Sequence, residues 1–191
     1  MSLSDQKKKD AERMRLFLQS GEKGPLVLEK NRDYDVCCVV SASFWGRIKE
    51  FVVSSLAFIA YLIPFSDIKV FMYRLLGVRI GRNCTISPYV GIDPLYPGLV
   101  TIEDDCNLGV GCVIMTHELT AKNFRVGRVR IGRGSVIGTH AIVRSGVTIG
   151  EEVTVGFGSV VTKDVKDGDT VAGVPAVSLK KKSGEGHGLK F

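Results

Sequence analysis

His117 is the side chain in this sequence whose type and position best suit proton transfer. An imidazole exchanges a proton near neutral pH, so a shielded histidine can act as a general base. His117 lies in the triplet Thr116–His117–Glu118, where a six-residue pattern stops for eleven residues and then resumes. The alternative is a solvated loop histidine without a task. The other two histidines are weaker candidates, because His140 is predicted to face outward on a regular stretch and His187 lies in a glycine-rich tail.

A shorter interruption of the same pattern contains Asp93 and Tyr96. A base works best when a carboxylate or carbonyl holds its other ring nitrogen, and Asp93 is the acid best placed to do this for His117. An aspartate before Pro94 is equally typical of a turn. Glu118 is expected to point away from His117, because neighbouring side chains of an extended chain alternate in direction. Asp93 and Tyr96 are also predicted to line the substrate pocket.

The element that must position these residues is a repeat with a period of six. The aliphatic residues that hold its frame are Ile80, Ile86, Ile92, Ile102, Leu108, Ile114, Ile131, Ile137, Val143, Ile149, Val155 and Val161. This period indicates short strands joined by bends, three to a coil, with parallel pairing between coils about 4.8 Å apart. The sequence therefore predicts a triangular prism over residues 77–176, with the aliphatic side chains inside and a basic tail over 177–191.

Both interruptions follow the third repeat of their coils. Four extra residues lie between Ile92 and Ile102, and eleven lie between Ile114 and Ile131. Two excursions that leave adjacent coils at the same edge of a prism lie side by side. We therefore expect them to build one pocket wall beside His117.

The cysteines give no sign of disulfide or nucleophilic chemistry. Three of them, Cys84, Cys106 and Cys112, occupy the small inward position four residues after an aliphatic one, which favours a packing role. The total of five is odd, and no CxxC pair or cleavable leader is evident. These features favour the reducing cytoplasm.

Residues 1–76 are predicted to form a small helical region. A charged helix is expected over 4–19, a second over 43–63, and a third that begins with Ser66 as its N-cap and ends at Gly77. The stretch between the first two helices is predicted to be irregular up to about residue 40.

The segment 43–76 has two possible roles. The first coil of such a prism is an unpaired edge, and covering it is the preferred interpretation. The apolar run 51–66 is too short and too interrupted to span a bilayer. With Arg47 and Lys49 before it, this run is also compatible with peripheral contact with a membrane.

The repeat resembles the hexapeptide acyltransferases over about residues 78–180. The segment "VVTKDVKDGDTVAGVPAV" is similar to the closing segment of the galactoside and maltose acetyltransferase branch, and "THE" is similar to sugar O-acyltransferase-like members. The resemblance implies a mainly β fold, a left-handed parallel β-helix of about four to five coils, assembled as a homotrimer with active sites between subunits. It implies acetyl-CoA-dependent O-acetylation of a carbohydrate hydroxyl, with His117 as the base and without a covalent acyl-enzyme. N-acetylation of an amino sugar and a non-catalytic oligomeric scaffold remain alternatives.

The resemblance also implies roles for the bend at Gly138 and Thr139. Gly138 is matched to the cofactor channel, and the Thr139 backbone N–H is matched to the donor that stabilises the developing oxyanion. Gly146 is assigned to the cofactor site from its spacing alone and not from the resemblance. It occupies the position on the next coil that corresponds to His117, and its missing side chain is predicted to leave room for the pantetheine arm.

Four further residues are matched to the coenzyme A site of that branch: Phe157, Thr162, Lys163 and Lys180. A lysine suits a phosphate as a point charge. Phe157 stands where a smaller residue usually lines the channel, and Val177 stands where that branch often has arginine. A solvated basic tail is the alternative interpretation of these lysines.

The overall charge favours an anionic small-molecule partner. The formal net charge is +6, and five basic residues occur in or beside the longer interruption: Lys122, Arg125, Arg128, Arg130 and Arg133. They are predicted to form a basic rim around an anionic cofactor or a phosphorylated acceptor. No nucleic-acid-binding module is recognisable, and the three histidines lack the spacing of a zinc site. Neither a nucleic-acid partner nor a metal is therefore expected.

Overall fold

The computed structural model describes residues 3–29 and 44–179. Ahead of the repeat these comprise α1 (Leu3–Gln19), β1 (Leu26–Glu29), α2 (Phe44–Leu62) and α3 (Ser66–Leu75). The remaining strands are β2 (Arg79–Ile80), β3 (Thr85–Ile86), β4 (Gly91–Ile92), β5 (Val100–Ile102), β6 (Asn107–Leu108), β7 (Val113–Ile114), β8 (His117–Leu119), β9 (Asn123–Val126), β10 (Val129–Ile131), β11 (Val136–Ile137), β12 (Ile142–Val143), β13 (Thr148–Ile149), β14 (Thr154–Val155), β15 (Val160–Val161), β16 (Thr170–Ala172) and β17 (Val177–Ser178).

Every third strand of the repeat pairs in parallel with its counterpart on the next coil. The three resulting sheets have the orders β2-β5-β10-β13, β3-β6-β11-β14-β16 and β4-β7-β12-β15, and β17 adds to the second in antiparallel fashion. The frame positions face one another in register, as Ile102 does with Ile80 and Ile131. Four complete coils and part of a fifth follow, which confirms the predicted parallel β-helix. Its handedness stays a prediction.

The interior of the prism is a continuous apolar core. The frame positions from Ile86 onward are buried, and so are Cys106 and Cys112, whereas Cys84 is partly buried. Burial raises the pKa of the Cys106 thiol to about 11 and that of Cys112 to about 12. Neutral, enclosed thiols are poor nucleophiles, so packing is the role that these cysteines have here.

Helix α3 covers the open end of the first coil. Val70 and Tyr73 on α3 belong to the same core as the prism interior, and the Tyr73 hydroxyl donates a 2.7 Å hydrogen bond to the Val90 carbonyl. Lys69 is also buried, and its ammonium group donates to the Tyr61 carbonyl at 3.2 Å. These contacts remove the unpaired edge of the prism from solvent.

The start of α3 differs from the prediction, although its end does not. Phe65 is the N-cap residue and Ser66 is already helical. The Ser66 hydroxyl accepts a 2.9 Å hydrogen bond from the Ile86 backbone N–H, so it ties the helix to the first coil instead of capping it. Gly77 follows the helix with φ of +97°, the left-handed conformation that favours glycine at this position.

The predicted irregular stretch contains a strand. β1 pairs antiparallel with β9, which itself pairs antiparallel with β8, so part of the longer interruption is a β-hairpin extended by the N-terminal segment. This small sheet packs with α1 and the shorter interruption in a second apolar cluster, whose buried members are Met14, Phe17, Leu28, Tyr96, Leu99, Phe124 and Val126. The prediction of irregular structure was wrong over residues 26–29, where the apolar face of a short strand is completed by β9.

Two further predictions concern the N-terminal helices and the tail. Within residues 3–29 and 44–179, no helix is both long enough and apolar enough to cross a membrane. Val177 and Ser178, predicted to begin a tail, form β17 against β16. The division into residues 1–76, 77–176 and 177–191 stays a prediction.

Candidate active site

Both interruptions leave the prism at the same edge. β4 and β7 are paired neighbours with Ile92 opposite Ile114, and each strand leads directly into one interruption. Asp93 follows the first of these strands and His117 follows the second. The predicted convergence is therefore confirmed: the Nδ1 atom of His117 lies 2.5 Å from Oδ2 of Asp93.

Asp93 is the centre of a dense set of hydrogen bonds. Its Oδ2 accepts from the backbone N–H groups of Thr116 and His117, each at 3.0 Å, and from the Thr116 hydroxyl at 2.7 Å. Its Oδ1 accepts from the Leu95 backbone N–H at 3.0 Å. The side chain has no exposed surface. The prediction that Asp93 lines the substrate pocket therefore does not fit this geometry, because its oxygens are enclosed and occupied, whereas the prediction that it orients His117 does fit.

The two partners shift each other's pKa in opposite directions. The hydrogen bond from Asp93 raises the pKa of His117 above its ordinary 6.5, although burial acts to lower it. For Asp93, burial alone would raise the pKa. The hydrogen bond and charge of His117, together with the hydrogen bond from the Thr116 side chain, outweigh burial and hold the pKa of Asp93 below 3.8. Asp93 is thus ionised near neutrality, and Nδ1 of a neutral His117 carries the proton that Asp93 accepts. Nε2 is left as the basic nitrogen.

Two aromatic rings enclose the imidazole. Tyr96 meets it edge-on with ring centroids 6.3 Å apart, and Phe124 lies on another side at 5.9 Å. The His117 side chain keeps 26% of its surface exposed. The ring is therefore held between apolar neighbours while part of it remains open to solvent, which a base that meets an incoming substrate requires.

Glu118 points away from His117, as its place in an extended strand predicts. The Nε–H of Arg144 is shared between both oxygens of its carboxylate, each 2.9 Å away, and the buried Ser145 hydroxyl donates a 2.6 Å hydrogen bond to Oε1. Burial acts to raise the pKa of Glu118, but these partners and the charge of Arg125 lower it overall. Glu118 thus ties β8 to the third coil and fixes the strand that carries His117.

Thr139 lies on a different edge of the prism from His117. Thr139 and Gly138 follow β11, a strand of the second sheet, whereas His117 follows β7 of the third sheet. Phe157 shares the edge of Thr139, since the Thr139 carbonyl accepts a hydrogen bond from the Gly158 N–H, and its side chain is exposed. A single chain therefore does not bring the predicted oxyanion donor to the predicted base.

Of the remaining predicted cofactor residues, two lie at the edge of His117 and one is not described by the structure. Thr162 and Lys163 follow β15 at the edge of His117, two coils further along, and the Lys163 side chain is exposed. Lys180 lies outside the described residues.

 The space beside Gly146 is filled, because a Cβ built on it would lie 3.3 Å from both the Pro25 side chain and the Arg125 guanidinium. Its φ of +77° is a left-handed backbone conformation, which explains a glycine here without any ligand. A role for Gly146 in making room for a pantetheine arm stays a prediction, and in this structure Pro25 and Arg125 lie in that space.

The predicted basic rim is largely used for internal contacts. Arg128 donates to three carbonyls at the end of α1, including that of Phe17 at 2.8 Å, and to the carbonyl of Glu22. Arg130 pairs with Glu103 at 2.7 Å, and Arg133 pairs with Glu151 at 3.1 Å. Arg125 donates to the Ser145 carbonyl at 3.1 Å. These arginines hold the N-terminal segment, the hairpin and the coils together, and Lys122 remains an exposed cation.

Sequence reasoning missed Thr116 and Phe124 as parts of the site. Thr116 was visible only as the first member of a triplet, and its bonds to Asp93 depend on the pairing of β4 with β7. Phe124 had a usable signal, since Phe124 and Val126 alternate with polar residues over β9, as in a half-buried strand.

Comparison with known proteins identifies the family. Residues 128–163 match the family described as bacterial transferase hexapeptide (six repeats), and residues 99–116 match the hexapeptide repeat of succinyl-transferase. YvoF of Bacillus subtilis (strain 168), named as a candidate acetyltransferase, is 32% identical over 133 residues, which are 69% of this chain and 76% of YvoF. This chain belongs to the hexapeptide-repeat acyltransferases. The galactoside O-acetyltransferase of Escherichia coli (strain K12) is 45% identical over 113 residues, covering 55% of this chain and 54% of that enzyme.

A solved structure of the same superfamily shares the fold. The hexapeptide-repeat containing acetyltransferase VCA0836 from Vibrio cholerae O1 biovar eltor, complexed with acetyl coenzyme A, superposes with a TM-score of 0.61 at 20% identity. The match covers 73% of this chain and 90% of that one. The parallel β-helix of this chain is thus a known architecture.

Proposed function

We propose that this acyltransferase moves an acetyl group from acetyl-CoA to a hydroxyl of a carbohydrate, with His117 as the general base. The observation that carries the proposal is the buried Asp93 carboxylate on Nδ1 of a partly exposed His117. The name of the galactoside O-acetyltransferase, 45% identical over the matched region, supports a sugar hydroxyl as the acceptor.

The proton step follows from the hydrogen bonds of the dyad. Nε2 of neutral His117 accepts the proton of the acceptor hydroxyl as the acceptor oxygen bonds to the acyl carbon. The imidazolium that forms is stabilised by the ionised Asp93, which remains a carboxylate throughout. His117 then passes the proton to the departing thiolate sulfur and returns to its neutral form, so neither residue changes overall.

Acetyl-CoA supplies the activated thioester, and this chain's residues fit it only in part. Lys163 is an exposed cation on the edge of His117, suited to a phosphate. Thr139 and Phe157 lie on another edge of the same prism. Our proposal therefore includes a homotrimer, in which the His117 edge of one subunit faces the Thr139 edge of the next.

The test is release of free thiol from acetyl-CoA in the presence of sugars, nucleotide sugars and amino sugars. We expect turnover with at least one hydroxyl acceptor, and about a 10²- to 10⁴-fold lower kcat for His117→Ala, the usual contribution of general base catalysis. Asn123→Ala, which changes an exposed side chain of the same hairpin, is the matched control and should retain wild-type kcat. Equal thiol release by His117→Ala would remove the base from the proposal.

A further inference from the structure

Helix α2 exposes large apolar side chains, whereas an ordinary surface helix buries them against the core. Its two buried side chains, Ala57 and Ala60, are small, whereas most of its bulky side chains are exposed. Phe51 is 73% exposed and Phe58 is 63% exposed. A helix that packs small residues inward and presents aromatic residues to solvent gains little from its own fold, so the outward side chains require another apolar environment.

The exposed apolar side chains continue from α2 across the connection into α3. Together they form a surface that we call the outer helical face, and its members are Trp45, Ile48, Phe51, Val52, Leu56, Phe58, Ile59, Leu62, Phe65, Ile68, Phe71 and Leu75. Scattered exposed apolar residues are normal on any protein. An array of twelve on two adjacent helices and their connection marks an interaction surface.

The charges around this face favour one kind of partner. Arg47 and Lys49 are exposed near the start of α2, beside Trp45, which is 77% exposed. Among the described residues of α2 and α3, Asp67 is an exposed acid and Glu50 is a partly buried one. Basic residues and a tryptophan at the margin of an apolar helical surface match the headgroup region of a bilayer, where anionic lipids attract cations and tryptophan prefers the interface.

We propose that the outer helical face docks on an anionic lipid bilayer. The helices lie in the plane of the interface, with Phe51, Phe58 and Phe71 in the acyl region and with Arg47 and Lys49 among the headgroups. Association is peripheral, in keeping with the absence of a spanning helix among residues 3–29 and 44–179. The alternative partner for this face is a second copy of the chain. A contact between two copies would give no reason for basic residues at the margin.

Helix α2, which carries most of the outer helical face, also borders a groove that reaches one residue of the candidate active site. The first half of α2, from Gly46 to Val53, forms one wall of a groove of about 340 Å³. The opposite wall is the shorter interruption, including Tyr96, whose ring contacts His117. An acceptor saccharide carried on a lipid would reach this groove from the bilayer surface. This last step rests on the proposed function, whereas the docking itself does not.

The experiment is flotation of the full chain with vesicles of phosphatidylcholine alone and of phosphatidylcholine with phosphatidylglycerol. We expect the wild-type protein to float with the anionic vesicles and to float less with the neutral ones. In the double variant Phe51→Glu and Phe58→Glu, the fraction that floats with anionic vesicles should fall by about tenfold or more. The matched control is Leu16→Glu, which places the same charge at a 58% exposed apolar position on α1 and should float like the wild type. Phe71→Glu tests α3 independently, and thermal unfolding of each variant reports on its folding.

Three results would overturn the docking. The first is that wild-type protein stays in the pellet fraction with both vesicle types. The second is that flotation survives all three glutamate substitutions. The third is that these substitutions convert the protein to a smaller oligomer. The last result would show that a second copy covers the face. Thiol release with soluble sugars is measured on the same variants, so a failure of the proposed function would be seen separately from a failure to bind lipid.

Discussion

The pair of Asp93 and His117 is the smallest unit on which the proposed chemistry depends. Asp93 holds one tautomer of the imidazole and is itself held by Thr116 and Leu95, so the proposed base is oriented before any substrate arrives. Asp93 is a positioning residue, since it has no exposed surface and acts through His117. Its effect on catalysis should therefore appear in the titration of the base.

Replacement of Asp93 by asparagine tests this dependence. The carboxylate raises the pKa of His117, and a base must be neutral to act, so we expect the acidic limb of the wild-type pH profile above the ordinary pKa of histidine. In Asp93→Asn the pKa of His117 falls, and the acidic limb of kcat/KM moves to lower pH. We also expect kcat to fall about 10- to 100-fold, as when other orienting partners are removed.

The measurement is kcat/KM from pH 5 to pH 9 for both proteins, on the acceptor found by thiol release. Asn123→Ala again serves as the control, with an unchanged pH profile. A limb that stays in place after Asp93→Asn would show that Asp93 does not set the pKa of the catalytic group.

At the scale of elements, the hairpin β8–β9 decides where His117 stands. One side of it is extended by β1, which joins it to the N-terminal segment, and the other is tied to the third coil by Glu118. An eleven-residue interruption without such support would leave its first strand free to move. The hairpin therefore belongs to the site as much as its side chains do.

Replacement of Glu118 by glutamine tests this support. The amide keeps the shape but loses the charge that pairs with Arg144, and Ser145 loses a charged acceptor. We expect the free energy of unfolding to fall by about 1.5–3 kcal/mol, the range for hydrogen bonds to charged groups. Hydrogen exchange of the β8 and β9 amides should accelerate more than that of β11 and β12. An equal change in exchange rate across all four strands would contradict a local role for Glu118.

At the scale of the whole molecule, the predicted base and the predicted oxyanion donor lie on two edges of one prism. The strands that precede them belong to different sheets, so no local movement of the chain can join them. A symmetric assembly places one edge of each copy against another edge of the next, and a three-sided prism suits threefold closure. The homotrimer is accordingly part of the proposed catalytic unit.

The assembly is tested by its mass and by its activity on dilution. Sedimentation equilibrium should give three times the mass of one chain. Activity per chain should fall when the protein is diluted to concentrations at which the trimer dissociates, because each site needs two subunits. A monomer with undiminished activity would contradict the shared site.

The six-residue period determined most of the fold, and with it the meeting of Asp93 and His117. Strands of fixed length stack in one register, so counting from Ile92 and Ile114 is enough to place both interruptions on one edge. Each inward position follows from the same count, including those of the buried cysteines. This part is predictable because the interactions are local and repeat along the chain.

Only the tertiary structure decided how the aperiodic segments complete the site. The N-terminal segment fills the space beside Gly146 with Pro25, adds β1 to the hairpin and engages Arg128, none of which a repeat can predict. The same holds for the outward side chains of α2, whose apolar sequence reads as a buried helix. These contacts join residues that are far apart in the chain, and their geometry depends on side-chain packing, which has no period.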